Sequence, residues 1–513
     1  MRGAGAGWPS PQALTMSRSS VPKRFPLRAA AGCAAFVVLA LAGAARAQVD
    51  DDTRLRLDQD LSRRAAEREA RTRQETAPDV LVIDGQAYTV GPGADDVGKA
   101  LYLSLSRRQW TDARRFLKAY LALPERDPML VCYAQGQLAR QDGDLRAAER
   151  SYRQLLVLQP GFMPGRIELA RVLFEDQRDR EAEAAFRAVL ADMPNDDARA
   201  VGVRRTVESF LAALKRRRSW TGQVALGPGW NSNINQASGS YACLLPGPEG
   251  ICFFDRKTPD PLGAATVSFE TVLNRRLPLR GSGGLTFRGM AYGELYPEEG
   301  RYNQATFVAQ AGFDYRTARL AFGVAPSLDV GTMGAERLYE APGLHAEVSR
   351  TLGASTLVKL EGDYKAMRYS RTAFAALDGD QASLFLTAWR GLAGGWTVFG
   401  GMDLLDKDAD RAVNAYRQAG LRLGAATPTM KGFNGTLFAS ARRKRWDAVN
   451  ETLEARRRDD EQSFTAILRA PRWKTPGGFT PSLTLQYAKV ASSIDWLFSY
   501  EKTAASLKLE RVF

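Results

Sequence analysis

The side chains best suited to chemistry are few in this chain. One histidine, His345, serves all 513 residues, with four cysteines at Cys33, Cys132, Cys243 and Cys252. A Ser-His-Asp relay needs a histidine between a nucleophile and a carboxylate, and zinc sites draw on several histidines or paired thiols. His345 sits between Leu344 and Ala346 in a predicted strand, and a single histidine argues against either arrangement. No catalytic residue, cofactor or metal is expected. Cys132 lies in a helical pattern and reads as a small core residue. Cys243 and Cys252 bracket the segment ACLLPGPEGICF without CxxC spacing, and form a candidate disulfide if the chain is exported. Three asparagines, Asn231, Asn233 and Asn235, close the stretch WTGQVALGPGWNSNINQ. Its glycines raise the idea of a phosphate loop, but no helix signal follows them. Spacing by two instead places the amides on one face of a strand.

The elements that hold these residues begin with an export signal. Arg18, Lys23, Arg24 and Arg28 precede the apolar run AAAGCAAFVVLALAGAA, which ends in Ala45-Arg46-Ala47. This reads as a signal peptide over 1–47, cleaved between Ala47 and Gln48. Met16 is an alternative start to Met1. Cys33 stands too early in the apolar run for a lipoprotein anchor. The formal charge of +14 comes from arginines spread along the chain and is not read as a nucleic-acid footprint. Residues 48–93 read as a charged linker, DTRLRLDQDLSRRAAEREARTRQE, followed by a small hairpin in VLVIDGQAYTV.

A period then emerges over 94–218. Ala148, Tyr152 and Pro160 are matched 34 residues later by Ala182, Phe186 and Pro194, and Gly136 by Ala170. Small, small, aromatic, proline at these offsets is the tetratricopeptide pattern. A weaker copy runs through Ala113, Leu117 and Pro124, and 197–217 supplies a terminal helix ending in basic residues. Stacked repeats present a groove built from the first helix of each unit. Tyr133, Gln137, Arg140, Arg171 and Phe174 are its candidate binding residues.

From 219 the period changes to two. In LVKLEGDYKAM, Lys359, Glu361, Asp363 and Lys365 share one face, while Val358, Leu360 and Tyr364 share the other. About fourteen such segments follow, most of ten or more residues, which suits a tilted membrane crossing. Connections at 281–284, 351–355 and 391–395 are short and glycine-rich, whereas 232–263, 329–337, 370–380 and 444–460 read as long and polar. Short turns on one side and long loops on the other are the marks of an outer-membrane barrel. Trp220 and Trp230 lie ten residues apart, a rise of roughly 33 Å that a tilt projects to about 25 Å, the height of the apolar band. The asparagines should then line the lumen and its mouth, and Pro228 should force a bulge. The fold class is α + β multidomain, a short helical repeat domain followed by a transmembrane antiparallel barrel over 219–513. A final strand closing on Phe513 looks like the signal by which such barrels are recognised for insertion.

Signal peptide, SYRQLLVLQPGFMPGRIELARVLFED at 151–176, GPGWNSNINQA at 227–237 and the strand ending in Phe513 together resemble the surface lipoprotein assembly modulator (Slam) family. The resemblance implies a protein of the cell outer membrane, with its repeats in the periplasm, that helps a client surface lipoprotein or a related secreted, haemophore-like protein reach the cell surface. It implies that the repeats engage client or chaperone, that barrel assembly machinery inserts the chain, and that outer-membrane lipid surrounds it. The barrel would be conduit or insertion partner. A second architecture, the exopolysaccharide export porin, also joins such repeats to a barrel. Its repeat arrays are longer, and a sugar conduit favours aromatics in the lumen where these segments carry mostly Lys, Glu, Asp, Thr and Asn. A nutrient channel leaves the repeats unexplained.

Overall fold

The computed structural model describes residues 91, 93–193, 200–246, 252–353 and 355–513. The signal peptide, its Ala47–Gln48 cleavage site, the charged linker and the small hairpin lie outside these residues. Three antiparallel helix pairs come first: α1 (Ala94–Ser106) with α2 (Trp110–Leu121), α3 (Pro128–Gln141) with α4 (Leu145–Leu158), and α5 (Met163–Glu175) with α6 (Asp179–Ala191). A terminal helix, α7 (Ala200–Arg217), covers the last pair. Local chemistry starts these helices: the Asp127 and Asp144 carboxylates accept the Met129 and Ala147 amides, and Pro128 occupies the first turn of α3.

The 34-residue pattern packs as its spacing requires. Ala113, Ala148 and Ala182 are fully buried where paired helices approach, and Tyr152 and Phe186 are buried between them. Phe186 stacks on Phe210 of α7 with centroids 4.8 Å apart. Gly136 is obligatory for one contact, because a Cβ there would stand 2.7 Å from the Tyr152 ring.

Fourteen antiparallel strands then close into a barrel. They are β1 (Thr221–Asn231), β4 (Ala264–Pro278), β5 (Gly283–Leu295), β6 (Gln304–Arg316), β7 (Leu320–Met333), β8 (Glu336–Leu352), β9 (Thr356–Tyr369), β10 (Gly379–Gly391), β11 (Thr397–Lys407), β12 (Tyr416–Ala426), β13 (Asn434–Trp446), β14 (Arg458–Arg469), β15 (Thr480–Ser492) and β16 (Tyr500–Val512). Between β1 and β4 a separate hairpin, β2 (Tyr241–Pro246) and β3 (Cys252–Lys257), stands outside the barrel sheet. β1 pairs with β16, and the ring closes through Phe513, whose backbone exchanges hydrogen bonds with Gly222.

Alternation sorts the faces. Lys359, Glu361, Asp363 and Lys365 are buried inside, whereas Leu360, Leu384, Leu421, Leu437 and Leu485 are exposed on the outer wall. Trp220 and Trp230 are both half-exposed at opposite ends of β1. An outward apolar band and an inward polar set are what a lipid-embedded barrel requires. Two expectations fail. The connection at 329–337 is a two-residue turn, Gly334-Ala335, both with positive φ, because β7 and β8 run on past the point where their sequence turns polar. Pro228 makes no bulge: Leu226 pairs with Leu509 and Gly229 with Ser506 in one register, and Pro228 pairs with Val267 on the other side.

Candidate site: repeat groove, barrel lumen and their junction

The candidate groove residues form one cluster, but as an ion-paired surface. Arg140 meets Glu175 at 2.8 Å and Glu168 at 3.2 Å, and Arg171 meets Glu168 at 2.7 Å. Burial opposes the charge on Arg140, yet the Glu175 carboxylate outweighs it and holds the guanidinium above its ordinary pKa. Gln137 donates to the Tyr133 hydroxyl at 3.1 Å. Burial pushes Tyr133 up as well, since its ring packs edge-on against Tyr152 and Phe162. Phe174 does not join this surface. It is buried under α7, edge-on to Phe210 and capped by the Arg217 guanidinium 3.9 Å from its ring. Glu168, missed in the sequence reading, is the buried carboxylate that joins Arg140 to Arg171. Its signal was its position one helical turn before Arg171.

The asparagines clamp a loop. Asn231 is fully buried and donates to the Tyr296 hydroxyl at 3.2 Å and to Glu294 at 3.4 Å. Asn233 lies beyond the end of β1, donating to the Ala237 and Glu501 carbonyls at 2.9 and 3.0 Å. Asn235 accepts the Leu262 amide and donates to the Asp260 carbonyl, both at 2.9 Å. Only Asn231 therefore faces the lumen from a strand. The other two tie the long connection to β16 and to the approach of β4, because β1 ends at Asn231, two residues before Asn233. Cys243 and Cys252 are bonded, with Cα atoms 5.8 Å apart, and staple the β2–β3 hairpin. Cys132 is free, and burial raises its thiol, which suits a packing residue.

The lumen is filled with paired charge. Asp403 of β11 meets Arg422 of β12 and Arg442 of β13, each at 3.1 Å. Lys365 reaches Asp329 at 2.7 Å, and Arg469 reaches Glu510 at 2.9 Å. His345 Nδ1 lies 3.0 Å from Asp363. His345, Glu347 and Glu361 come close enough to share a metal ion, but the Lys359 ammonium already stands 2.8 Å from Glu347 and 2.7 Å from Glu361. A cation is thus supplied by the chain itself. Aromatics face inward too: Trp389, Phe399 and Phe438 form one buried cluster, which the polar alternation of the neighbouring strands did not announce.

The repeats rest on the short-turn rim of the barrel. Gly281 in the β4–β5 turn donates its amide to Glu181 at 3.1 Å, and Arg319 in the β6–β7 turn donates to the Asp142 carbonyl at 3.3 Å. Asp179 at the start of α6 accepts from Arg217 at 2.8 Å and lies 3.6 Å from Arg276, which itself meets Asp314 at 3.0 Å. A buried chain of alternating charge therefore runs from α7 through α6 into β4 and β6. Arg217 also lines a recess with the lumen-facing Arg276, Arg288 and His345.

The profile of the Surface lipoprotein assembly modifier family matches residues 220–513, and that of its N-terminal TPR repeats matches residues 91–186. The chain is similar to the Hemophilin secretion modulator of Acinetobacter baumannii, 35% identical over 480 residues that cover 90% of this chain and 96% of the relative. Surface lipoprotein assembly modifier 1 of Neisseria meningitidis serogroup B is 24% identical over 440 residues, 85% of this chain and 86% of its own. Among solved structures, the outer membrane channel DcaP of Acinetobacter baumannii gives a TM-score of 0.33 at 9% identity, covering 57% of this chain and 96% of that channel, a likeness that bears no functional argument. Both halves match in order and the strongest of these likenesses spans nearly the whole chain, so the chain belongs to the surface lipoprotein assembly modifier family.

Proposed function

We propose that this protein is an outer-membrane secretion and assembly factor that brings surface lipoproteins or haemophore-like secreted proteins to the cell exterior. The observation that carries the reading is the joint architecture: a short repeat stack seated on the short-turn rim of a fourteen-strand barrel. Short turns belong on the periplasmic side of such barrels, so the repeats stand in the periplasm, where a client or its chaperone arrives. The surface around Tyr133, Gln137, Arg140 and Arg171 is the proposed docking groove. Its alternating charge suits an extended polar segment whose own charges can exchange with the Glu168 and Glu175 pairs. The chain does its work by binding and positioning, without a catalytic group. Barrel assembly machinery recognises the closing strand through Phe513. A polysaccharide conduit is disfavoured, because buried ion pairs such as Asp403–Arg422 and Lys365–Asp329 occupy the lumen.

The test is deletion of the gene, followed by protease shaving of intact cells and analysis of the medium. At least one lipoprotein or secreted protein should be lost from the exterior and retained inside. An unchanged set of exterior proteins overturns the reading.

A further inference from the structure

Two routes lead out of a fourteen-strand barrel: along the bore, or sideways through the wall. Along the bore, an exported chain meets Asp403–Arg422–Arg442, Lys365–Asp329 and Arg469–Glu510, all buried pairs. Separating any of them strands a buried charge, which is costly. The wall is different at one place.

That place is the seam where β1 meets β16. Gly222 and Phe513 exchange backbone hydrogen bonds of 2.9 and 3.1 Å, and the Ser232 amide donates to the Thr503 carbonyl at 2.9 Å. Antiparallel strands bond at every second residue, so positions 222, 224, 226, 228, 230 and 232 aim their amides at β16. Position 228 is proline, which has no N–H to give. The Leu507 carbonyl opposite it therefore loses its ladder donor. The paired register correspondingly stops at Leu226–Leu509 and resumes at Gly229–Ser506, while β1 pairs with β4 without interruption from Thr221 to Asn231. Gly227 and Gly229 flank the proline, and a Cβ on Gly227 would collide with the Leu507 carbonyl oxygen, so the wall here is bare backbone. A recess at this point is lined from both sides, by the lumen-facing Glu270 and Lys508 and by the lipid-facing Trp230 and Ala505. On the inner face, Lys508 of β16 reaches over β1 to pair with Glu270 of β4, a latch across the seam.

We propose that the β1–β16 seam is the crossing site for the exported polypeptide, an extended segment of which adds as a transient strand between β1 and β16. The inference rests on the export reading above. An added strand supplies a donor to the Leu507 carbonyl that Pro228 leaves without one, and its two faces meet what the recess offers: charge and hydroxyls inward, apolar surface outward. The occupant is thus a polypeptide with alternating polar and apolar residues, not a folded domain.

The test is a lock on the seam in the full-length protein. Gln223→Cys with Val512→Cys places two thiols on a non-hydrogen-bonded pair of β1 and β16 and leaves the Arg469–Glu510 pair intact. Ser440→Cys with Ser463→Cys, whose hydroxyls lie 2.7 Å apart on β13 and β14, locks a wall segment away from the seam. The readout is the set of exterior proteins that gene deletion removes. Oxidising the seam lock should reproduce the deletion pattern and reduction should restore export, while the β13–β14 lock exports like wild type. Pro228→Ala, which returns the missing donor and keeps the barrel intact, should lower export several-fold. Wild-type export from a fully oxidised seam lock and from Pro228→Ala overturns the proposal, as does equal blockage by the β13–β14 lock. If deletion itself removes no exterior protein, the export reading falls first and the seam with it.

Discussion

Arg422 and Asp403 meet at 3.1 Å inside the barrel, each with 1% of its side chain exposed, and Arg442 takes the second oxygen of the same carboxylate. One anion on β11 thereby holds two guanidiniums on the next two strands. While intact, such a set is weak evidence of stability, but removing one member leaves uncompensated buried charge. Asp403→Asn is expected to destabilise the barrel by about 3–5 kcal/mol. The measurement is the temperature at which the folded, fast-migrating gel band converts to the unfolded one. No shift would mean that water reaches both guanidiniums.

Gly136→Val should damage the repeats and spare the barrel. The added carbon would stand 2.7 Å from the Tyr152 ring, which is fully buried between α3 and α4. Overpacking of this kind costs about 1–3 kcal/mol. The helical circular dichroism signal should melt earlier in the variant, with an unchanged barrel transition.

The junction should loosen in acid. The Arg178 guanidinium hydrogen-bonded to Glu181 holds that carboxyl below its ordinary pKa, with the Gly281 amide adding to the effect. Arg178 and Glu181 lie in the same repeat, so only the share of the depression from the Gly281 amide depends on docking; that share stabilises the docked state fully above the ordinary value and fades as pH falls through the depressed one. Asp176 acts in the opposite sense: burial raises its carboxyl, so its ionisation weakens the docked state as pH rises. Glu181→Gln should therefore remove the acid-side loosening alone. Hydrogen exchange at the Gly281 amide reads this, and an unaltered pH profile in the variant would refute the assignment.

Reducing the Cys243–Cys252 bond should free the outer hairpin without unfolding the barrel. The bond closes a loop with a sequence separation of 9, and a loop of this size gains about 3 kcal/mol from closure. β2 and β3 pair only with each other, outside the barrel sheet. Paired Cys→Ser substitutions should make residues 241–257 protease-sensitive at an unchanged barrel transition. Loss of the barrel band would show that the hairpin supports the wall.

Much of this molecule is legible in local period. The recurrence of Ala148 and Tyr152 as Ala182 and Phe186 reports helix pairs, since both positions repeat the same inter-helix packing. Alternation from Lys359 to Lys365 reports a strand with a polar inner face. Local pattern misled at Phe174, where an apolar residue of α5 expected at a groove was claimed by α7, an element outside its own repeat. Asn233 and Asn235 keep the spacing of two past the end of β1, where they tie the long connection instead of continuing the inner face of the strand.

The sequence by itself determined the elements, because a backbone of period two or 3.6 imposes its own spacing on apolar residues. It also determined the overall class, since alternation over fourteen long segments has few solutions in lipid. Tertiary structure alone decided which residues meet. Asp403 and Arg442 are 39 positions apart, and Asp179 and Arg217 are 38. Strand register and barrel closure set the first distance, and the packing of α7 onto α6 sets the second. The same closure brings Pro228 opposite Leu507, turning an ordinary proline into the weak point of a wall whose two edges lie at opposite ends of the barrel sequence.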